Sequence, residues 1–246
     1  IKEKMSLVEK LPESGVAIIN LDNDYIKNYQ VKNNCKVVSY GITNKDADFI
    51  ATNITYSISG SQFDVIYKDE TYTFNTRLLG EHNVLNILSA IALGRELDVS
   101  WDSLKLAVSK VRFIPHRLEL KNINGISFID NAFNSNPEGA KMSLKVISQM
   151  PNKRIIVTPG MIDLGPIQEA ENYKFGYNMK DKVDVAILVG KNQTTPIYNG
   201  LIDANFEADK IFVFDTVQAA LAYVYQIATR DDIVLLENDL PDAFSN

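Results

Sequence analysis

The chain has 246 residues, 46% of them apolar and 23% charged, and a formal net charge of −6. That length predicts one large or two medium domains. The acidic balance, with both signs interspersed, excludes the basic surface a nucleic-acid partner needs, and the lack of an apolar run of about 18 residues excludes a membrane-spanning helix.

The single cysteine, Cys35, rules out an internal disulfide framework and fits a reducing cytoplasm. It reads as a small buried hydrophobe beside a strand rather than a nucleophile. The start, Ile1-Lys2-Glu3-Lys4, is polar and carries no signal-peptide pattern. It is not Met, so either the terminus was processed or this is a piece of a longer chain. The motifs below favour the second.

Residues 1–10 read as the end of a helix, with Met5, Leu7 and Val8 apolar among Lys and Glu, stopped by Pro12 and Gly15. Residues 16–19 form a short apolar strand. A polar turn follows, then a short helix over 22–29 capped by Asp22, then a strand over 36–40 closed by Gly41. This β-α-β spacing suits a parallel sheet. From Ile50 to Leu79 the pattern alternates, through Ile54, Tyr56 and Ile58, then Phe63, Val65 and Tyr67, then Tyr72 and Phe74. It predicts an antiparallel meander with turns at Gly60-Ser61 and Lys68-Asp69-Glu70.

A helix is predicted from 82 to about 96. Its opening, Gly80-Glu81-His82-Asn83-Val84-Leu85-Asn86, places Asn83 and Asn86 on one face near the N-terminus, where unpaired N–H groups favour an anion. Val84, Leu85, Ile87, Leu88 and Ile91 cover most of the remaining circumference, which predicts a largely buried helix. His82, Asn83 and Asn86 must then find partners, either by capping the helix and bonding neighbouring loops or by meeting a ligand. A second helix runs over 100–110 with Ser100 as N-cap.

Residues 112–117 are irregular around Pro115, which places a domain boundary there and divides the chain into 1–114 and 115–246. Strands are expected over 118–121 and 126–129. Asn136-Pro137 is an N-cap and N1 pair for a helix to about 149. Then come a strand over 154–158, a helix through 179, a strand over 183–189, a helix near 196–204, a strand over 210–214, a helix over 216–228 and a last strand over 232–236. Such alternation predicts an open parallel sheet with helices on both faces. Ligands in such sheets bind beyond the carboxyl ends of the strands. Those ends carry Asp130-Asn131, Pro159-Gly160, Gly190-Lys191, Asp215-Thr216 and Glu237-Asn238-Asp239. No Gly-x-Gly-x-x-Gly follows any strand, which argues against a dinucleotide oxidoreductase.

The two histidines, His82 and His116, both fall at predicted element ends, and each alone reads as a hydrogen-bonded structural residue. Together the pieces resemble the Mur ligases, the ATP-dependent amide-forming enzymes of peptidoglycan assembly. Gly80-Glu81-His82-Asn83-Val84-x-Asn86-x-x-x-Ala90 is similar to the family's Gly-x-His-Asn-x-x-Asn helix. Pro115-His116-Arg117-Leu118-Glu119 is similar to its interdomain linker. Ile129-Asp130-Asn131-Ala132-Phe133-Asn134-Ser135-Asn136-Pro137 resembles the Asp-Asp-(Ala/Ser)-Tyr-Asn-Ala-Asn-Pro of the ligases that add D-alanyl-D-alanine. Gly160-Met161-Ile162-Asp163-Leu164-Gly165 resembles that group's Gly-Asp-Met-x-Glu-Leu-Gly.

The resemblance covers nearly the whole chain and implies an α/β fold, with a truncated central ATPase-type domain containing a mixed sheet, then a Rossmann-like C-terminal domain. It implies that Asn83 and Asn86, with His82, approach the adenine side of ATP. Arg117, beside His116, would reach the phosphates as the domains close. Asn131 takes the place of the Asp that holds the ribose, and Asn134 and Asn136 complete that motif. Lys4 lies where the family has a carbamylated lysine bridging magnesium ions; no metal ligand is assigned. The family's Gly-rich phosphate loop is not among these residues, and the resemblance places it upstream, with the carboxylate and histidine that hold Mg2+. Leu236-Glu237-Asn238-Asp239-Leu240-Pro241 stands where these ligases have a Lys-Gly-Ser-Arg-like segment facing the amino substrate, so a different acceptor is expected.

The expected function is that of part of a cytoplasmic ligase that activates a muropeptide-like carboxylate as an acyl phosphate with Mg-ATP. An amino-acid or dipeptide acceptor then attacks. The alternative is a non-catalytic, ligase-like scaffold that binds a nucleotide or a partner.

Overall fold

Helix α1 (Lys2–Glu9) opens the described part of the computed structural model, which comprises residues 2–133 and 135–238. The chain divides into two units, residues 1–55 with 60–111, and residues 56–59 with 112–246. In the first unit the order continues with β1 (Val16–Asn20), β2 (Lys36–Gly41), β3 (Phe49–Ser57), β4 (Gly60–Tyr67), β5 (Glu70–Thr76), α2 (Glu81–Glu96) and α3 (Trp101–Ser109). These strands form one sheet in the order β1-β2-β3-β4-β5. β1, β2 and β3 run parallel, and β4 and β5 pair antiparallel.

Apolar alternation puts Phe63, Val65 and Phe74 on one face, all fully buried, against Val84, Leu88 and Ile91 of α2 and Leu104 of α3. Burying each phenylalanine contributes about 2–3 kcal/mol. Trp101, the first residue of α3, stacks on Tyr72 with centroids 3.7 Å apart. A second cluster packs Met5, Ala17, Ile19 and Cys35 together, so the cysteine is a core residue, as expected.

Two local expectations fail here, and β3 carries a feature that alternation does not show. Residues 22–29 form turns, not a helix. Asp22 does not cap them, because its carboxylate is drawn to the loop after β2. It accepts from the amides of Ile42 (2.6 Å), Thr43 (3.0 Å) and Asn44 (2.8 Å) and from the Thr43 hydroxyl. The β3–β4 turn is Ile58-Ser59, and Gly60 and Ser61 belong to β4; Ile58 is accordingly exposed. Finally, Asn53 takes a positive φ of 51° within β3. Phe49 and Ala51 before it and Ile54 after it pack on the same core, a change of parity along the strand.

Asp22 makes a prediction. Burial raises its pKa, but the hydrogen bonds from the Thr43 hydroxyl and the amides of residues 42, 44 and 43 outweigh it and hold the carboxyl below its usual value. A lowered folded pKa stabilises above the unfolded carboxylate range and is lost as pH falls through the folded value. Asp22→Asn should therefore cost about 2–3 kcal/mol at pH 7. Urea titrations should also show a shallower loss of stability than wild type as pH falls below about 4. An unchanged acid limb would refute this account.

The second unit runs β6 (Glu119–Ile123), β7 (Ile126–Asn131), α4 (Pro137–Ser148), β8 (Arg154–Thr158), α5 (Gln168–Tyr177), β9 (Val185–Val189), α6 (Lys191–Asp203), β10 (Ile211–Phe214), α7 (Val217–Ile227) and β11 (Ile233–Glu237). The sheet order is β10-β9-β8-β11-β7-β6. Crossovers between parallel strands are right-handed. The steps from β7 through β8 and β9 to β10 all move one way, which puts α4, α5 and α6 on one face. The return step to β11 puts α7 on the other, over Val185, Ile187, Val189 and Val234. The expected helices on both faces are present, but the sheet is not wholly parallel. β6 pairs antiparallel with β7, because only two residues, Asn124 and Gly125, connect them and a parallel crossover needs a dozen or more.

Two helix starts also differ from expectation. A short 3-10 turn (Gly165–Ile167) precedes α5, and α6 begins at Lys191 with Pro196 inside it rather than at its start. Gly176 and Gly200 explain how closely α5 and α6 pack. A Cβ on Gly176 would lie 2.1 Å from the Ile197 carbonyl oxygen, and one on Gly200 would lie 2.2 Å from that of Tyr173.

Candidate functional site

The carboxyl ends of β7 and β11 lie side by side, with Asn131 in register with Glu237. Apolar runs carry both strands through the core, so the polar residues that end them emerge together at the sheet edge. Asp130 is buried, yet its Oδ2 lies 2.6 Å from Lys121 Nζ and 3.0 Å from His116 Nδ1. Burial raises its pKa, but Lys121, the Ala132 amide and His116 outweigh it and keep the carboxyl below its usual value. His116, Glu119 and Asp130 place one potential metal-ligand atom each within 4.8 Å of one another. Lys121 Nζ, also 3.0 Å from Glu119, already supplies a cation to this cluster.

The segment 116–118 is gripped from several sides. His116 donates its amide to Glu119 Oε2 (3.2 Å), and its carbonyl accepts from the Phe133 amide (3.2 Å). The Leu118 amide donates to Asn131 Oδ1 at 3.2 Å. His116 and Leu118 both take positive φ, 60° and 48°, which costs roughly 1–2 kcal/mol for each residue. Strain of this kind persists only where neighbours over-determine the backbone, and it concentrates at functional sites. Arg117 stands between these two residues, exposed, with its guanidinium 4.7 Å from the centroid of the Phe133 ring.

Glu237 is fully buried. Burial pushes its pKa up, opposed by hydrogen bonds from Ser135, Asn131 and Ser143. Its Oε1 accepts from Ser135 Oγ at 2.6 Å and its Oε2 from Asn131 Nδ2 at 2.9 Å. Asn238 adds a second brace, accepting from the Ser135 amide (3.0 Å) and donating to the Gly160 carbonyl. The expectation that Glu237 gives an acidic face toward an incoming substrate is therefore wrong: the side chain turns inward to the loop 131–136. Asp239, Leu240 and Pro241 lie outside the described residues, as does Asn134. Asn136 caps α4, accepting from the Gly139 amide at 2.9 Å.

In the first unit, α2 is less buried than expected. Val84, Ile87, Leu88 and Ile91 face the core, while His82, Asn86, Ala90, Leu93 and Leu97 form an exposed stripe at helical spacing. Gly80, with φ 93°, turns the chain into the helix. Asn83 donates to the Leu79 carbonyl at 2.8 Å and so ties down the entry to α2. Asn86 is exposed one turn on, and Lys4 is exposed on α1.

The structure thus brings His116, Arg117 and Asn131 into one cluster at the β7 end, and His82, Asn83 and Asn86 together at the start of α2. Sequence reasoning singled out neither Lys121 nor Phe133 as a site residue and misread Glu237. The one signal for Glu237 was a lone carboxylate closing an otherwise apolar strand.

Two family models match the chain, the Mur ligase middle domain over residues 1–94 and the Mur ligase glutamate ligase domain over residues 116–237. A UDP-N-acetylmuramoyl-tripeptide–D-alanyl-D-alanine ligase of Escherichia coli (strain K12) is 30% identical over 193 residues, 77% of this chain and 43% of that relative. The enzyme of the same name from Bacillus subtilis (strain 168) is 27% identical over 95% of this chain and 50% of its own length. This chain therefore spans about half or less of these relatives. Among solved structures, a MurF ligase from Thermotoga maritima in complex with ADP superposes with a TM-score of 0.78 at 16% identity, covering 97% of this chain and 53% of that one. With the middle-domain and glutamate-ligase-domain models following one another in that order, the chain belongs to the Mur ligase family.

Proposed function

We propose that the protein containing this chain is an ATP-dependent carboxylate–amine ligase of peptidoglycan precursor synthesis, working in the cytoplasm. Among the described residues no helix is long and apolar enough to cross a membrane. ATP with Mg2+ would convert a muropeptide carboxylate to an acyl phosphate, and an amine acceptor would displace the phosphate. The observation that carries this reading is Arg117, presented from a strained and clamped segment at the carboxyl edge of the sheet. A guanidinium held there can neutralise phosphoryl oxygens as charge develops on them.

Asn83 and the exposed Asn86 offer paired donor and acceptor atoms of the kind that read an adenine edge, with His82 beside them. Asn131 is largely committed within the protein, so we assign it to holding the Leu118 backbone, leaving one N–H for a ribose hydroxyl. We assign Asn136 to the cap of α4. Lys4, exposed on α1, would serve Mg2+ only as its carbamate, whose oxygens can face the ion; the free ammonium offers no acceptor. Because Glu237 faces inward, it does not oppose an acceptor that bears a carboxylate, and a D-amino dipeptide such as the two curated relatives are named for becomes the first acceptor to try.

The test is phosphate release by the intact protein given ATP, a UDP-muropeptide and single acceptors. Release that depends on both muropeptide and acceptor supports the reading. If no acceptor elicits release while nucleotide or a partner protein still binds, the protein is a scaffold.

A further inference from the structure

Asn131 and Glu237 form a matched pair whose polarity is dictated by the Leu118 amide. The Leu118 amide can only donate, so Asn131 must turn Oδ1 toward it. That orientation turns Nδ2 toward Glu237, which must then accept. Its other oxygen accepts from Ser135 Oγ. The result is a directional relay from β11, through a half-buried amide, to the backbone beside Arg117. Leu118 is 2% exposed and holds a positive φ, so its amide cannot exchange this bond for one to water without local opening.

We propose that Glu237 is a positioning residue: acting through Asn131, it holds the Leu118 amide and thereby sets the backbone that aims Arg117. An aspartate at 131 would instead bring two carboxylates to hydrogen-bond distance inside the fold, where like charges cannot both remain ionised. The residues at 131 and 237 are therefore interdependent although 106 positions apart. The consequence for turnover rests on the ligase reading of Arg117; the relay itself does not.

Three variants of the intact protein test it by hydrogen–deuterium exchange resolved to the Leu118 amide. Glu237→Met removes the acceptor of Asn131 Nδ2; glutamine alone would not, because its oxygen can turn to Asn131 and its N–H to the Ser135 hydroxyl. Asn131 is then no longer held, so exchange should quicken about tenfold, the loss of one buried hydrogen bond. Asn131→Leu, which offers the Leu118 amide no acceptor, should quicken it similarly. The double variant N131D/E237Q reverses the relay. The amide introduced at position 237 donates to the carboxylate introduced at position 131, and that carboxylate still accepts from Leu118. Exchange should then return to within about twofold of wild type. The amides of α2 should not respond in any variant. Unchanged exchange in E237M, or a double variant no better than the singles, overturns the proposal. Should a single variant fail to fold, the double decides: folded with slow exchange supports the relay, and unfolded overturns it. With turnover, E237M and N131L should each raise the KM for ATP or lower kcat, and the N131D/E237Q double should keep wild-type values. Exchange that follows the relay without any change in turnover would fault the ligase reading and leave the relay standing.

Discussion

Arg117→Ala is expected to lower kcat/KM for ATP-dependent ligation by about 10²–10³-fold, the effect of removing a donor aimed at transition-state charge. Its melting temperature should stay within about 2 °C of wild type, because surface substitutions away from caps and buried networks change stability little. The side chain is exposed and rests over the Phe133 ring, itself 55% exposed. Neither residue fills the core, so loss of activity cannot be loss of fold. Arg117→Lys should rescue poorly: lysine keeps the charge but lacks the planar fork that stacks on an aromatic face and binds phosphoryl oxygens in pairs. Steady-state kinetics with the intact protein, alongside thermal melts, separate these outcomes. Wild-type turnover by the alanine variant would remove Arg117 from the mechanism.

The largest effect on stability is expected from Gly176→Ala. The added Cβ would meet the Ile197 carbonyl oxygen at 2.1 Å and its carbon at 2.8 Å. These are backbone atoms of α6, which cannot rotate aside as a flexible side chain would. Relief requires α5 and α6 to separate, and that uncovers Phe175, Ile197 and Leu201, all buried. Overpacking of this kind costs about 3 kcal/mol, which corresponds to a fall of roughly 10 °C in melting temperature. Alanine is the better helix former by about 1 kcal/mol, so a stabilised variant would show that the two helices part easily. Gly165→Ala provides the control. No atom lies within 4 Å of its Cβ, and its only strain is the φ of 56°, so it should cost less.

Much of the architecture was legible because it is written locally. The parallel strands of the second unit are short, largely apolar runs. The caps at Ser100 and Asn136 need only a side-chain oxygen three residues before an unpaired amide. The His-Asn-x-x-Asn and Pro-His-Arg-Leu-Glu stretches were conspicuous for the same reason: their meaning lies in spacing along one helix or one linker. What failed was non-local. Asp22 follows a strand and looks like a helix cap, but three amides twenty residues on compete for it and win. Asn53 looks like any exposed strand residue until its backbone reverses the facing of β3.

The family pattern and the two kinds of sheet could be read from the chain alone, because periodicity and motif spacing are properties of contiguous residues. Folding was needed to reveal that β6 runs antiparallel, that α2 keeps an open stripe, and that Glu237 is an internal brace rather than an acidic surface. Each depends on which groups meet across the fold. A buried carboxylate takes its role from the donors around it, and two of those of Glu237 lie 102 and 106 positions away.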